Sequence, residues 1–400
     1  MLKVVHCITG LTGDGAQGML LRLVTALAGH GVENRVISLE ARQPMASQFE
    51  KVGAPVLSLG VDSIFSGGPA LATLCRFLSA ESPDLLQGWM YHGNVALSLA
   101  RKLMRGSTPL VWNIRRGLDD LGARSWKTRS MIWMNQKLSR VPTRIVYCTE
   151  QSMIQHETLG FTRGKGIVIG NGFDTERYRP CHDSRDALLS RLGLSADALV
   201  IGHLGRYDVA KGHVHLIEAF SRVLSQYPQA RLVCAGRGVD KENRELTALV
   251  RRLGLSSCTV LLGECSHVEK LYPAFDIMCS SSIAEGFPNV VAEAMASGVP
   301  CVVTDTGASR ALVQDIGLVV EPRSSAALGD ALCALCARSS DERRVLGEVG
   351  RERIRARYSM RAVSQQYNDL YRRVCGDARL SSRPTHPGSL DGIGWGSPDL

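Results

Sequence analysis

No apolar stretch in the 400 residues comes near the roughly 20 consecutive residues that cross a bilayer, so no membrane-spanning helix is expected. The start, MLKVVHCITG, reads as a first strand and is too short and too interrupted for a secretory leader, which leaves a cytoplasmic protein as the expectation. A disulfide framework is missing too. The twelve cysteines run from Cys7 to Cys375, and Cys7, Cys148, Cys234, Cys279 and Cys301 fall inside apolar strand runs, where a small buried thiol is at home. Cys333 and Cys336 form a lone C-x-x-C in a helical pattern with no second pair and no histidine pair, which argues against zinc or redox chemistry. No D-x-D metal motif stands in a useful place, since Asp119 and Asp120 are adjacent at a helical start. No G-x-G-x-x-G followed by an acid about twenty residues on is present, although Gly13, Gly15 and Gly18 overlap that pattern. No recognised nucleic-acid module accompanies the charge, so nucleic acid is not expected as a partner.

With 44% hydrophobic and 21% charged residues the chain is an ordinary globular one, long enough for two domains. Its net charge of +9 is unevenly placed. Residues 1–180 hold 21 Lys and Arg against 13 Asp and Glu, and the segment from Arg101 to Arg144 holds eleven basic residues and two acidic ones. That face should meet something anionic.

Strand and helix patterns alternate from Leu2 to about Val168, which specifies a doubly wound parallel sheet. Residues 1–170 make the first domain. The polar segment 171–180, NGFDTERYRP, makes a hinge. A second series begins at Leu199 and gives a second domain over 181–357. A helix over 358–375 follows and can cross back to the first domain, and 376–400, rich in Gly, Pro and Ser, is expected to be a disordered tail. Helices are expected at 118–139 and 267–274 as well. The fold class is therefore α/β, two Rossmann-like doubly wound domains facing each other across a cleft.

The stretch Asp276–Thr304 is a βαβ unit with its turn at the carboxyl end of a strand, where open parallel sheets bind ligands. Ile277 to Cys279 form one apolar strand and Val299 to Thr304 another. Between them Val290, Val291, Ala294 and Met295 recur at helical spacing, and Pro288 suits the first helical position. Glu285 lies in the turn and Glu293 in the helix. The amides from Gly286 to Asn289 offer unpaired donors to a phosphate or to sugar hydroxyls, and ionised carboxylates accept the stronger hydrogen bonds from hydroxyls. Upstream, IGHLGRYDVAKGH places Arg206 after a strand and Lys211 at a helix start, two cations suited to a diphosphate.

GRYDVAKG, CAGRG at 234–238, LLGECSHVEKLYPAFDIMCSSS and EGFPNVVAEAMASGVPCVVTDTG together resemble the retaining nucleotide-sugar glycosyltransferases of family 4, which have the GT-B fold. The resemblance implies that Arg206 and Lys211 hold the donor diphosphate and stabilise the leaving charge. It implies that Glu293 binds the donor ribose and that Glu285 approaches the transferred sugar. Backbone around Gly286, Phe287, Pro288 and Asn289 would contact sugar or phosphate, with no N–H available from Pro288. Arg237, Gly238, Val268 and Leu271 would border the base. In the first domain the family's glycine-rich loop aligns with Gly13, Asp14 and Gly15, where a carboxylate at Asp14 is unusual. Where the family often has a histidine this chain has Arg115 and Arg116, and Arg115 ranks above His92 as a polar group near the acceptor.

Retention in this fold is thought to need no protein nucleophile, and no cofactor or metal is expected beyond the nucleotide-sugar as co-substrate. A UDP-sugar is favoured, a GDP-sugar is the alternative, and the acceptor is expected to be a saccharide or lipid-linked saccharide of cell-surface polysaccharide or glycolipid synthesis. Two other readings remain at this stage: another sugar-nucleotide enzyme such as an epimerase, or a non-catalytic sugar-binding member. The stretch 118–139 mixes Arg124, Lys127, Arg129, Lys137 and Arg140 with Trp126, Ile132, Trp133 and Met134. Peripheral contact with an anionic membrane surface and plain packing on its own sheet explain this pattern equally well.

Overall fold

The computed structural model describes residues 1–13, 15–61, 67–119, 121–122 and 125–381. The first lobe is built on seven parallel strands: β1 Leu2–Ile8, β2 Val32–Ser38, β3 Val56–Ser58, β4 Leu85–Trp89, β5 Leu110–Ile114, β6 Arg144–Tyr147 and β7 Gly166–Val168, in the order β3-β2-β1-β4-β5-β6-β7. The second lobe is built on six: β8 Leu199–Leu204, β9 Ala230–Ala235, β10 Thr259–Leu261, β11 Ile277–Ser280, β12 Cys301–Thr304 and β13 Leu318–Val320, in the order β10-β9-β8-β11-β12-β13. Every pairing is parallel.

Both sheets are covered on both faces, which is why their strands read as unbroken apolar runs. Side chains alternate across each strand. Val4 and Ile8 enter the core under the helix Gly15–Ala28, while Val5 and Cys7 enter the core on the opposite face with Leu97 and Trp112. Val200 and Leu204 likewise part from Leu199 and Ile201 in the second lobe.

The chain passes between the lobes twice, side by side. Phe173 donates its N–H to the Tyr358 carbonyl and accepts from the Met360 N–H, both at 2.8 Å. The helix Met360–Ser381 then packs on the first lobe, burying Tyr367, Leu370, Tyr371 and Val374 against the helix Gly15–Ala28.

Several sequence expectations need correction. The helix expected from 118 begins at Trp126 and runs to Leu138, because Ser125 caps it by accepting the Thr128 N–H at 3.3 Å. Among the described residues from 118 to 125 none is helical, and the Leu118 N–H is held by Gln155 Oε1 at 2.7 Å. The helix expected at 267–274 is two short 3₁₀ turns, Val268–Lys270 and Tyr272–Ala274, since Pro273 supplies no amide to an α-helix. Pro288 takes the cap position and Asn289 is the first helical residue. A helix at His182–Arg191, too polar to show apolar periodicity, was not expected. The helix from Met360 runs on to Ser381, past Gly376, the residue at which the tail was expected to start. One glycine in a helix costs only about 1 kcal/mol, and Val374 and Cys375 are buried just before it. Residues 382–400 lie outside the described residues.

Candidate active site

β8 and β11 are neighbours at the centre of the second sheet, yet β8 leads on to β9 on one side and β11 to β12 on the other. The loops leaving their carboxyl ends therefore diverge from adjacent points and open a crevice between them. That topology brings Arg206 and Lys211 from the first loop to Glu285 and Glu293 from the second. Together with the facing edge of the first lobe they line a cleft of about 990 Å³.

The β8 loop is tightly determined. Asp208 caps the 3₁₀ turn Val209–Lys211 by accepting the Ala210 N–H at 2.9 Å. Gly212 follows in the left-handed region at φ 66°, and a Cβ there would stand 2.1 Å from the Ser281 carbonyl oxygen. The Ser281 hydroxyl donates to the Lys211 carbonyl at 2.9 Å, and the Ile283 N–H to the Ala210 carbonyl at 2.7 Å. The two loops are thus sewn together beneath the side chains they present.

Lys211 Nζ lies 2.5 Å from Glu285 Oε1, with side chains 22% and 11% exposed, and Ser282 donates to the same oxygen at 2.7 Å. Arg206 is half-exposed and paired with Asp208 at 3.1 Å. Glu293, in the helix Asn289–Ala296, accepts the Tyr272 hydroxyl at 2.8 Å. Burial pushes its carboxyl above the ordinary range, opposed by the Tyr272 hydroxyl, Arg22, Tyr178 and Arg177. Asn289 accepts from Asn171 of the hinge at 2.7 Å. Gly15 of the first lobe faces it, since a Cβ there would stand 3.5 Å from Asn289 Nδ2.

The lobes touch at the site itself. A Cβ on Gly286 would stand 3.0 Å from the Arg115 carbonyl oxygen and 3.1 Å from Arg116 Cα. The turn carrying Glu285 is therefore in backbone contact with the loop after β5.

Of the candidates read from sequence, Gly15, His92, Arg115, Arg206, Lys211, Arg237, Val268, Glu285, Gly286, Phe287, Asn289 and Glu293 border the cleft. Gly13, Gly238, Leu271 and Pro288 do not. Leu271 is 5% exposed and packs in the second-lobe core, so only Val268 of that pair is available to a base. Asp14 lies outside the described residues. Phe287 reaches the cleft while its ring stacks on Phe173 at 5.9 Å and meets Tyr358 edge-on at 5.7 Å, which anchors the turn. Arg115 is committed elsewhere. It donates to the Ile169 carbonyl at 2.6 Å and to the Tyr367 hydroxyl at 2.7 Å, and lies over the rings of Trp89 and Tyr367. It clamps the end of the first lobe to the C-terminal helix. His92 is exposed; partial burial lowers its pKa and Glu40 opposes that.

Residues missed in the sequence include Asp208, Ser282, Tyr272 and Asn171. Asp208 was detectable as a cap between the two cations, whereas Tyr272 meets Glu293 across a turn with no spacing signal. Among the described residues no three His, Cys, Asp or Glu side chains are grouped so as to hold a metal, and no helix is long and apolar enough to cross a membrane. Cys333 and Cys336 are buried free thiols.

Two family models match the chain: a glycosyl transferase 4-like domain over residues 14–172 and glycosyl transferases group 1 over 198–338. The D-inositol 3-phosphate glycosyltransferase of Geodermatophilus obscurus is 31% identical over 352 residues, 81% of this chain and 76% of that protein. The chain belongs to the family 4 glycosyltransferases. Other relatives match over less of their length: EpsF of Bacillus subtilis is 29% identical over 46% of this chain and 47% of its own, so the match spans about half of that relative. Among solved structures, Anabaena HepE in complex with UDP superposes with a TM-score of 0.81 at 22% identity, covering 92% of this chain and 99% of that one. The GT-B fold is thereby shown: two Rossmann-like lobes with the cleft between them.

Proposed function

We propose that the protein transfers a sugar, with retention of configuration, from a nucleotide diphosphate to a hydroxyl of a saccharide or lipid-linked saccharide in cell-surface polysaccharide or glycolipid synthesis. The observation that carries this reading is the convergence of Arg206, Lys211, Glu285 and Glu293 at the switch point of the second sheet, facing the first lobe. In this reading the diphosphate draws Lys211 from Glu285 and sits with Arg206, and the two cations stabilise the charge that develops as the glycosidic bond breaks. Glu285, freed, accepts hydroxyls of the transferred sugar. Glu293 takes the ribose diol. The acceptor attacks from the face the phosphate leaves, and a phosphate oxygen accepts its proton, so no protein base is required. A UDP-sugar is the favoured donor, with a GDP-sugar as alternative; HepE has been solved with UDP and glucose, which supports trying that donor first.

The test is nucleotide release from UDP-sugars and GDP-sugars, with and without a chelator, by wild type and by Lys211→Ala. Release that requires an added divalent ion would reject the metal-free form of the proposal. Release undiminished in Lys211→Ala would reject the site.

We also propose that the lobe carrying β1–β7 rests on an anionic membrane surface. The helix Trp126–Leu138 buries only Ile132 and Asn135, while Trp126 and Trp133 are 72% and 58% exposed beside Lys127, Arg129 and Lys137. Amphipathic rings flanked by cations suit a headgroup layer. Vesicles containing phosphatidylglycerol should sediment the wild type and not Trp126→Ser/Trp133→Ser; equal sedimentation would reject the surface.

A further inference from the structure

Arg22 belongs to the helix Gly15–Ala28, which follows the first lobe's glycine-rich loop, and its guanidinium lies 5.6 Å over the ring of Phe173 in the hinge. Its Nε and Nη2 are buried and have no hydrogen-bond partner among the described residues. It makes no ion pair within 4.0 Å among them either. A guanidinium cannot shed its proton, so a positive charge is held half-buried at the lobe boundary, with no carboxylate in ion-pair contact among the described residues. Such a group is costly to bury unless its field is used.

The element on the other side of the hinge is the helix that carries Glu293. Asn171 ties that helix to the hinge through Asn289 at 2.7 Å, and Phe173, the ring under Arg22, stacks on Phe287 just before it. Tyr178 of the hinge meets Tyr272 edge-on at 6.0 Å, and Tyr272 in turn donates to Glu293. The hinge therefore touches Arg22 on its first-lobe side and, on its second-lobe side, Phe287, Asn289 and Tyr272, the neighbours of Glu293.

We infer that Arg22 is a positioning residue for Glu293: a first-lobe cation, set against the hinge, that fixes the charge of the ribose-binding carboxylate and so makes donor recognition depend on both lobes. The inference rests on the donor role proposed for Glu293. The groups that face this carboxylate are Tyr272 from its 3₁₀ turn, Tyr178 and Arg177 from the hinge, and Arg22 from the first lobe. Arg177 is already paired with Glu269 at 3.0 Å. Arg22 is the cation whose field is not shared with another carboxylate in contact. Burial raises the Glu293 carboxyl and Arg22 opposes it, so a lobe movement that takes Arg22 away leaves the acid readier to accept a proton. A protonated acid is the poorer acceptor for a vicinal diol.

The test compares UDP with 2′-deoxy-UDP by titration calorimetry, from about pH 5 to about pH 8, on wild type, Arg22→Met, Arg22→Lys and Glu293→Gln, each checked for folding by its thermal melt. Wild type should prefer UDP, and the preference should fade on acidification. In Arg22→Met that fading should move to higher pH, the effect of losing an opposite charge, and Arg22→Lys should restore most of it. In Glu293→Gln the preference should vanish, and adding Arg22→Met should change nothing more. An Arg22→Met profile that overlays wild type, or that weakens both nucleotides equally at every pH, overturns the inference. Should Glu293→Gln keep the preference for UDP, it is the ribose role of Glu293 that fails. The two failures are thus told apart.

Discussion

The ammonium of Lys211 and the carboxylate of Glu285 are joined at 2.5 Å, and Ser282 donates to the same oxygen. The cation that would meet the donor is therefore already neutralised, and substrate must compete for it. Glu285→Gln should leave UDP bound as tightly as in wild type or more so, while turnover falls. Lys211→Ala should lower turnover by about 10² to 10³-fold, the usual loss for one preorganised charge-stabilising donor. Calorimetry and initial rates on both variants check this, and weaker UDP binding by Glu285→Gln would contradict it.

Gly286→Ala places a methyl group 3.0 Å from the Arg115 carbonyl and 3.1 Å from Arg116 Cα, atoms of backbone that cannot swing aside. The two lobes must part slightly at the site. Turnover should drop about tenfold or more, with UDP affinity and melting temperature changed little. A variant with wild-type turnover would show that this contact does not set the reacting geometry.

Arg115→Met tests the clamp. The side chain joins the end of the first lobe to Tyr367 of the helix Met360–Ser381. Its loss leaves carbonyl oxygens without their charged donor, at about 1–3 kcal/mol. Urea midpoints should fall accordingly, while turnover at saturating substrates stays within a few-fold of wild type. A large turnover loss at unchanged stability would restore Arg115 to the chemistry.

Acid should unfold the protein early. Burial lowers His6, His156 and His213 to about 4 and His203 to about 3. The unfolded chain binds these protons near the ordinary value of about 6.5 and the folded one does not. The stability they contribute is present above that value and lost as pH falls towards the folded values. Each such histidine is worth about 3 to 5 kcal/mol over that interval. Denaturant midpoints should be flat between about pH 7 and 8 and fall steeply below about pH 6. His213→Asn should flatten part of the slope.

The lobes were legible because each central strand is buried on both faces, so the two series were read from Leu2 and from Leu199, where β1 and β8 begin. Glu285, Glu293, Arg206 and Lys211 were legible for a related reason: loops at a switch point converge whatever their side chains. The failures share a different cause. Whether Val268 or Leu271 reaches the cleft depends on the turn Pro273 imposes. What Arg115 holds depends on Tyr367, which is 252 positions away. Arg22 sits in an amphipathic helix like any surface cation, and only the meeting of helix and hinge half-buries it.

The helix Met360–Ser381 has a consequence for synthesis. Tyr367 and Tyr371 complete the same core as Val4 and Leu20, so β1 leaves the ribosome long before the helix that closes its hydrophobic face. Maturation of this lobe is thus timed by a segment made after the whole of the other lobe, and nascent chains halted short of it would offer an open apolar face to chaperones.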